Sequence, residues 1–336
     1  MSLNGLKFSL KSLAYASGML GWWHRRRNAD ALTVFMFHRV LPRESAAYAA
    51  AEKEFTFSVE GFGRCLDFIG KHYQVVTALQ VKEALSGGAR LPACPALITF
   101  DDGWRDTLMH AYPALRARQL PALVFLATEI MESPRPAWWQ DMLVQILEQP
   151  ERAAALRRAL GLAEDQAAVR SRASDHEVAG KLAALPLQQR LELLTSLAPQ
   201  KPAERQMLTE AELLTADRAC LEFGAHGHTH APLTRVAEPL GELRRSHALV
   251  ATLQPAVASM SFPHGAYTAN LLDLSESAGF DLVFTSDATL LDLRKPATGR
   301  CIGRIHVPEN EWTADAGHIS FAKLATFLFF RPQASH

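Results

Sequence analysis

Seven short apolar runs recur along the chain: ALTVFMF (31–37), YQVV (73–76), ALITF (96–100), ALVFLA (122–127), LEFG (221–224), ASMSF (258–262) and DLVFT (281–285). Most are continuous rather than alternating, the pattern of parallel strands covered on both faces. Helical patterns lie between them, and their starts are marked. Ser58 precedes VEGFGRCLDFI, and Thr77 with Gln80 and Thr209 with Glu212 fit capping boxes. Alternation of this kind predicts an α/β fold with a parallel sheet or barrel. One block breaks the rhythm. From about Trp138 to Gln206 no strand pattern occurs, and Ala, Leu, Arg, Glu and Gln dominate between breaks at Pro150, Pro186 and Pro199. Ser174 with Glu177 offers a further cap there. This block reads as a helical insertion between two strands. The tryptophans of PRPAWWQD (134–141), which opens it, either stack on a sugar ring or pack the insertion onto the core.

The ends differ from the middle. An apolar run from Leu13 to Trp23 is followed by Arg25, Arg26 and Arg27. It is shorter than the roughly 20 residues of a membrane span, and a secretory signal would carry its basic residues ahead of the run. Residues 1–30 therefore predict an amphipathic helix. It either packs on the domain or lies at a membrane interface, with Trp22 and Trp23 at headgroup level. The last segment, 311–336, reads as a helix and tail, with FAKLATFLFFRP (321–332) packed on the core. Between them, residues 31–310 form the main domain.

Composition narrows the class. Of 336 residues 48% are hydrophobic, enough for a large core, and 35 basic residues balance 35 acidic ones. That balance argues against nucleic-acid binding through a bulk basic field. Cys65, Cys94, Cys220 and Cys301 are widely spaced and form no CxxC, so they read as reduced, buried thiols. The expected location is the cytoplasm, with peripheral contact at the inner membrane face through the first helix.

Candidate chemistry lies at three strand ends. In ALITFDDGWRD (96–106) a strand runs into Asp101 and Asp102, neighbouring carboxylates that repel unless a cation or proton is present. One aspartate could cap a helix; that explains one, not two. EFGAHGHTHAPL (222–233) holds His226, His228 and His230, on a strand-end loop expected to run into a helical turn. Position 227 is glycine, so the HExxH base is missing. SFPHGAY (261–267) is a proline–glycine turn that can present a fixed backbone amide. Two imidazoles with a carboxylate suit a divalent ion of the zinc type.

Taken together, TFDDG (99–103), HGHTH (226–230) and FPHGAY (262–267) resemble the polysaccharide deacetylases of carbohydrate esterase family 4, in the family's order. The resemblance extends to MFHRV (36–40), GFDLVFTSD (279–287) and GRIHV (303–307), and points to the branch with YHxV-like and YPYG-like motifs. It implies a distorted (β/α)7 barrel, here with the helical insertion. It also implies metal-dependent hydrolysis of N-acetyl groups from an N-acetylhexosamine-containing saccharide or glycolipid, releasing acetate. Alternatives are O-acetyl esterase activity or non-catalytic saccharide binding on the same fold. By this resemblance Asp101 is the general base, and Asp102, His226 and His230 hold the metal, most simply Zn²⁺. His228 stands at a variable position, beside the metal shell or facing substrate. Two departures matter. Ser261 replaces the arginine of many members and His264 the tyrosine, so Arg304 is the expected substitute to orient Asp101. The general acid is expected to be His38 first, His306 second and His264 third.

Overall fold

The computed structural model describes residues 3–135, 137–162, 172–198, 204–294, 301–313 and 319–334. Six of the apolar runs form the parallel strands of one sheet: β1 (Ala31–Phe37), β2 (Pro95–Phe100), β3 (Ala122–Leu126), β4 (Leu221–Ala225), β5 (Ser259–Ser261) and β6 (Leu282–Phe284). The seventh run differs: Gln74–Val75 is a two-residue strand beside the start of β2. Its place in the ring is taken by a bent segment, β7, residues 301–306. Cys301–Ile302 pairs with β6, and Ile305–His306 pairs with β1, both in parallel. The chain itself joins these two pairings, and the hydrogen-bonded ladder is interrupted between them. Gly303 and Arg304 lie between the two pairings, and there the distorted (β/α)7 barrel is irregular. The bend hid β7 from the hydrophobic pattern, because no run of four apolar residues crosses it.

Strand side chains alternate between faces. Leu32, Val34, Leu97, Leu123, Phe125, Leu282, Phe284 and Ile302 form one buried cluster. Phe35, Phe37, Ile98, Phe100, Val124 and Leu126 belong to a second, shared with the surrounding helices. Period two then puts His38 on the face of Val34, and Asp101 on the face of Leu97 and Thr99. Both stand over the barrel interior at the strands' C-terminal ends.

Local signals set the helix starts. The Ser58 side chain accepts from the Gly61 amide at 3.0 Å, and both capping boxes, Thr77–Gln80 and Thr209–Glu212, form. Four helices follow Trp138: Trp139–Leu147, Pro150–Ala159, Arg172–Ala183 and Leu187–Leu197. Ser174 lies inside the third of these, not ahead of it; Pro199 falls outside the described residues. The first 30 residues hold two helices, Leu3–Ala16 and Met19–Arg27, broken at Gly18, which is left-handed (φ 79°). Both pack against the C-terminal helix Phe321–Phe329. Among the described residues no helix is long and apolar enough to cross a membrane. The four cysteines are free and buried.

Candidate metal and catalytic site

The aspartate pair caps β2. Asp101 continues the β1–β2 ladder, its amide donating to the Phe37 carbonyl at 3.0 Å. Asp102 then turns left-handed (φ 75°), followed by Gly103 (φ 83°). The left-handed turn is what calls for glycine at 103; a Cβ there would meet only the movable side-chain ends Met131 Cε at 2.7 Å and Leu126 Cδ2 at 2.9 Å. The backbone reversal sends the two carboxylates to different tasks.

Asp102 joins the histidines. Its Oδ1 lies 3.2 Å from His230 Nε2 and 3.5 Å from His226 Nε2, while its Oδ2 accepts from Trp104 Nε1–H at 2.8 Å. All three residues are buried, and their ligand atoms lie within 4.8 Å of one another. Two donors each about 2.0–2.2 Å from an ion, at a tetrahedral angle, stand roughly 3.3–3.6 Å apart. The residues therefore fit a divalent ion. The second ring nitrogens fit as well. His226 Nδ1–H donates to the Ser261 carbonyl at 3.0 Å, which leaves Nε2 with its lone pair toward Asp102. His230 Nδ1 lies 3.1 Å from Gln140 Nε2; with that amide turned over, its Oε1 accepts the Nδ1–H and leaves Nε2 free for an ion. Burial pushes the His226 imidazole down to about 4, against the pull of Asp101 and Asp102, so at neutral pH it is an uncharged donor.

The HGHTH segment makes no helical turn. It is a loop from the end of β4, with Gly227 (φ 70°) and His230 (φ 54°) left-handed, and helix resumes only at Pro239. A Cβ on Gly227 would stand 3.0 Å from Pro263 Cγ, where the second and third motifs meet. His228 turns aside, with Nδ1 3.0 Å from Thr128 Oγ1. Asp102, His230 and His264 (φ 57°) are three of the five non-glycine residues with positive φ among those described, so backbone strain gathers at this site.

Asp101 stands beside this group. Arg304, 1% exposed, grips both its oxygens: Nη1 to Oδ1 at 2.5 Å and Nη2 to Oδ2 at 2.9 Å. Arg304 is fixed in turn by Nε donating to the Thr285 carbonyl at 3.1 Å, and its guanidinium lies 5.2 Å from the Phe125 ring centre. Asp101 Oδ2 is 3.8 Å from His226 Nε2 and 3.9 Å from His38 Nε2. Burial opposes ionisation of both aspartates. The Arg304 charge, with His226 and His38, nonetheless holds Asp101 below the ordinary carboxylate range. Asp102 is also held well below that range, by the hydrogen bond and charge of His230.

The other histidines occupy different places. His38 is partly exposed at the barrel mouth, and its buried Nδ1 has no hydrogen-bond partner. His306 lies 5.9 Å from it, ring to ring; Phe55 packs against both and stacks on His306 at 5.2 Å. His306 hydrogen-bonds the Glu54 backbone, and burial pushes it down to about 4. His264 is exposed, its ring 4.6 Å from that of His230 and its Nε2 3.3 Å from the His230 carbonyl. The structure thus brings Asp101, Asp102, His226, His230, Arg304 and His38 into contact range. Among the described residues, His264 touches the group through His230 alone, and His306 is joined to it only through His38 and Phe55.

Several residues at the site carry no sequence signal of their own. Trp138 and Trp139 are each 1% exposed, so they pack rather than face a sugar. Trp138 meets the His230 ring edge-on at 4.9 Å, and Gln140, two residues on, reaches His230 Nδ1. Arg190, also from the helical block and 1% exposed, donates to the Thr229 carbonyl at 3.3 Å. The apolar–polar rhythm of PRPAWWQD and the arginine within LQQRLELL were the only clues, and neither names a partner.

The family model described as polysaccharide deacetylase matches residues 90–180, which include both aspartates but not the histidine loop. Over 51 residues the chain is 41% identical to the poly-beta-1,6-N-acetyl-D-glucosamine N-deacetylase of Escherichia coli strain K12; the match covers 15% of this chain and 8% of that protein. The chain thus matches less than a tenth of the length of that curated relative. Among solved structures, IcaB from Ammonifex degensii superposes with a TM-score of 0.51 at 18% identity, covering 89% of this chain and 97% of that one. The Streptococcus pyogenes deacetylase PplD gives 0.51 at 14%, covering 83% and 93%. The fold is therefore that of the polysaccharide deacetylases. The family-model match, over residues 90–180, points the same way.

Proposed function

We propose that this protein removes N-acetyl groups from an N-acetylhexosamine-containing polysaccharide, releasing acetate and leaving a free amino sugar. Asp102, His226 and His230 would hold the divalent ion, with zinc favoured by the two-imidazole, one-carboxylate donor set. Such an ion polarises a carbonyl oxygen and lowers the pKa of a bound water from 15.7 to about 7. Asp101 is the proton acceptor. Arg304 keeps it ionised and turned toward His226 without placing it among the three donors, and a free carboxylate is the better base. His38 protonates the leaving amine; its Nε2 lies on the same side as Asp101, and its ring is open to the mouth. Each such transfer is typically worth about 10²–10⁴-fold. The strained Pro263–Gly265 turn supplies the His264 backbone N–H toward the carbonyl oxygen as it gains charge. His306 and Phe55, whose rings lie beside His38, would touch the sugar.

The observation that carries this reading is the Asp102–His226–His230 grouping with a second, arginine-clamped carboxylate beside it. The named activity of the Escherichia coli relative supports the saccharide class. The test is acetate release from oligomers of β-1,6-linked N-acetylglucosamine, run beside O-acetylated oligomers, with the metal-loaded protein and its Asp101→Asn variant. Release from the N-acetylated set alone, lost in the variant, is expected. Release only from O-acetyl esters overturns the amide assignment, and release from neither overturns catalysis.

A further inference from the structure

The two terminal segments have a composition unlike the rest. Residues 1–29 and 319–336 together contain seven Lys and Arg and no Asp or Glu, although the whole chain is balanced at 35 of each. All the acidic residues therefore lie between them. Large apolar side chains are also exposed there. Of nine large hydrophobic residues exposed among those described, six are here: Leu10, Leu13, Met19, Trp22, Trp23 and Phe330, between 42% and 67% exposed.

Their arrangement follows from helical spacing. Met19, Trp22, Trp23 and Arg26 lie at i, i+3, i+4 and i+7, one face of the second helix, while Leu20, Gly21 and His24 on the other face are buried. Trp23 stacks on Phe330 at 6.1 Å, and the Arg26 guanidinium lies 5.2 Å from the Trp22 ring centre. Leu10 and Leu13 repeat the pattern on the first helix, with Lys11 exposed between them. The layer is held firmly: Arg27 donates to the Phe329 and Arg331 carbonyls at 3.1 and 2.8 Å. Packing within the chain therefore uses the inner faces and leaves the outer, apolar and basic ones without cover.

We propose that this outer face docks on an anionic lipid bilayer. Tryptophan, leucine and methionine supply area to bury at the headgroup boundary, and Arg25 and Arg26, exposed and in no ion pair among the described residues, supply attraction to anionic lipid. A protein partner would need acid or apolar complementarity of its own; a bilayer offers both at once over the whole face. No described helix is long enough to span, so the contact is peripheral. The second helix leads into the start of β1, whereas the site is at the ends of the strands, so a bilayer here leaves the site uncovered. This inference does not depend on the chemistry proposed for the site.

The test is flotation of the full chain with vesicles of phosphatidylcholine alone or mixed with phosphatidylglycerol, at low and high salt, with circular dichroism to verify folding. Binding to the anionic vesicles that weakens with salt is expected. Trp22→Ala with Trp23→Ala should lower partitioning at least about tenfold. Arg25→Gln with Arg26→Gln should lower it about fivefold per arginine and flatten the salt dependence. Leu214→Ala, an exposed apolar residue elsewhere, should leave it unchanged. Equal recovery on both vesicle types, or equal binding by folded Trp22/Trp23 variants, overturns the proposal. So does a concentration-dependent dimer that those substitutions abolish while vesicle binding is absent, since it assigns the face to a second copy.

Discussion

Two histidine clusters sit at opposite ends of β1, and they do opposite things. At its C-terminal end, His226 and His230 face Asp102 at 3.5 and 3.2 Å, each with its second nitrogen engaged. Before its N-terminal end, His24 and His72 are also buried, but their neighbours are rings. His24 stacks on Phe329 at 4.1 Å and lies 4.6 Å from Tyr73; His72 lies 4.7 Å from Phe68. Among the described residues the charges acting on them are Lys71, Arg25 and Arg27, with no carboxylate. The residue type is the same, and the companion decides the role. A carboxylate with aimed lone pairs makes a site for a cation, whereas aromatic faces make a piece of core.

That contrast can be broken in four ways. The largest effect is expected from Asp101→Asn. It should cost about 10²–10⁴-fold in kcat while leaving metal content unchanged, because Asp101 lies beside the donor group; lost metal would put Asp101 inside it. Next, Arg304→Met leaves a buried carboxylate without its partner. A loss of about 3–5 kcal/mol in stability is expected, read by denaturant unfolding. The acid limb of the rate profile should move to higher pH as Asp101 loses the charge that holds it down. A stable variant with an unmoved limb would show that the clamp is ornamental.

The third prediction concerns the aromatic cluster. Burial pushes His24 and His72 down to about 4. An unfolded histidine takes its proton near 6.5. The unfolded chain therefore binds more protons in between, and stability present above about pH 6.5 is lost as pH falls toward 4. His24 alone is worth on the order of 3 kcal/mol over that window. His24→Phe should flatten the dependence in a thermal-melt series, and a series unchanged by it would contradict the assignment. Smallest, Gln140→Ala should weaken metal binding about 10–100-fold by releasing His230, with activity recovered by added metal. Unaltered affinity would remove the helical block from the site.

The barrel half of the site was legible because its residues sit where strands stop. Hydrophobic runs located β2, β4 and β5, and the polar residues just past them are Asp101, Asp102, His226, His230 and His264. The other half was not. Gln140, Trp138 and Arg190 act on the His230 loop from helices far away in sequence, and helical periodicity says which face is buried, not against what. Arg304 was legible only as a stand-in for the arginine that Ser261 replaces. Its own strand is split by a bend, so pattern alone gave no reason to place it over Asp101. His24 and His72 had no signal because each is isolated in sequence, and only the fold brings them together.

The central claim is that Asp102, His226 and His230 share one divalent ion. Elemental analysis of the purified protein before and after chelation, with a crystal measured at the zinc absorption edge, tests it directly. The account predicts one ion per chain with an anomalous peak within about 2.0–2.2 Å of all three donor atoms, lost in Asp102→Ala. A folded, acetate-releasing protein with no ion there, or with the ion bound elsewhere, would contradict it.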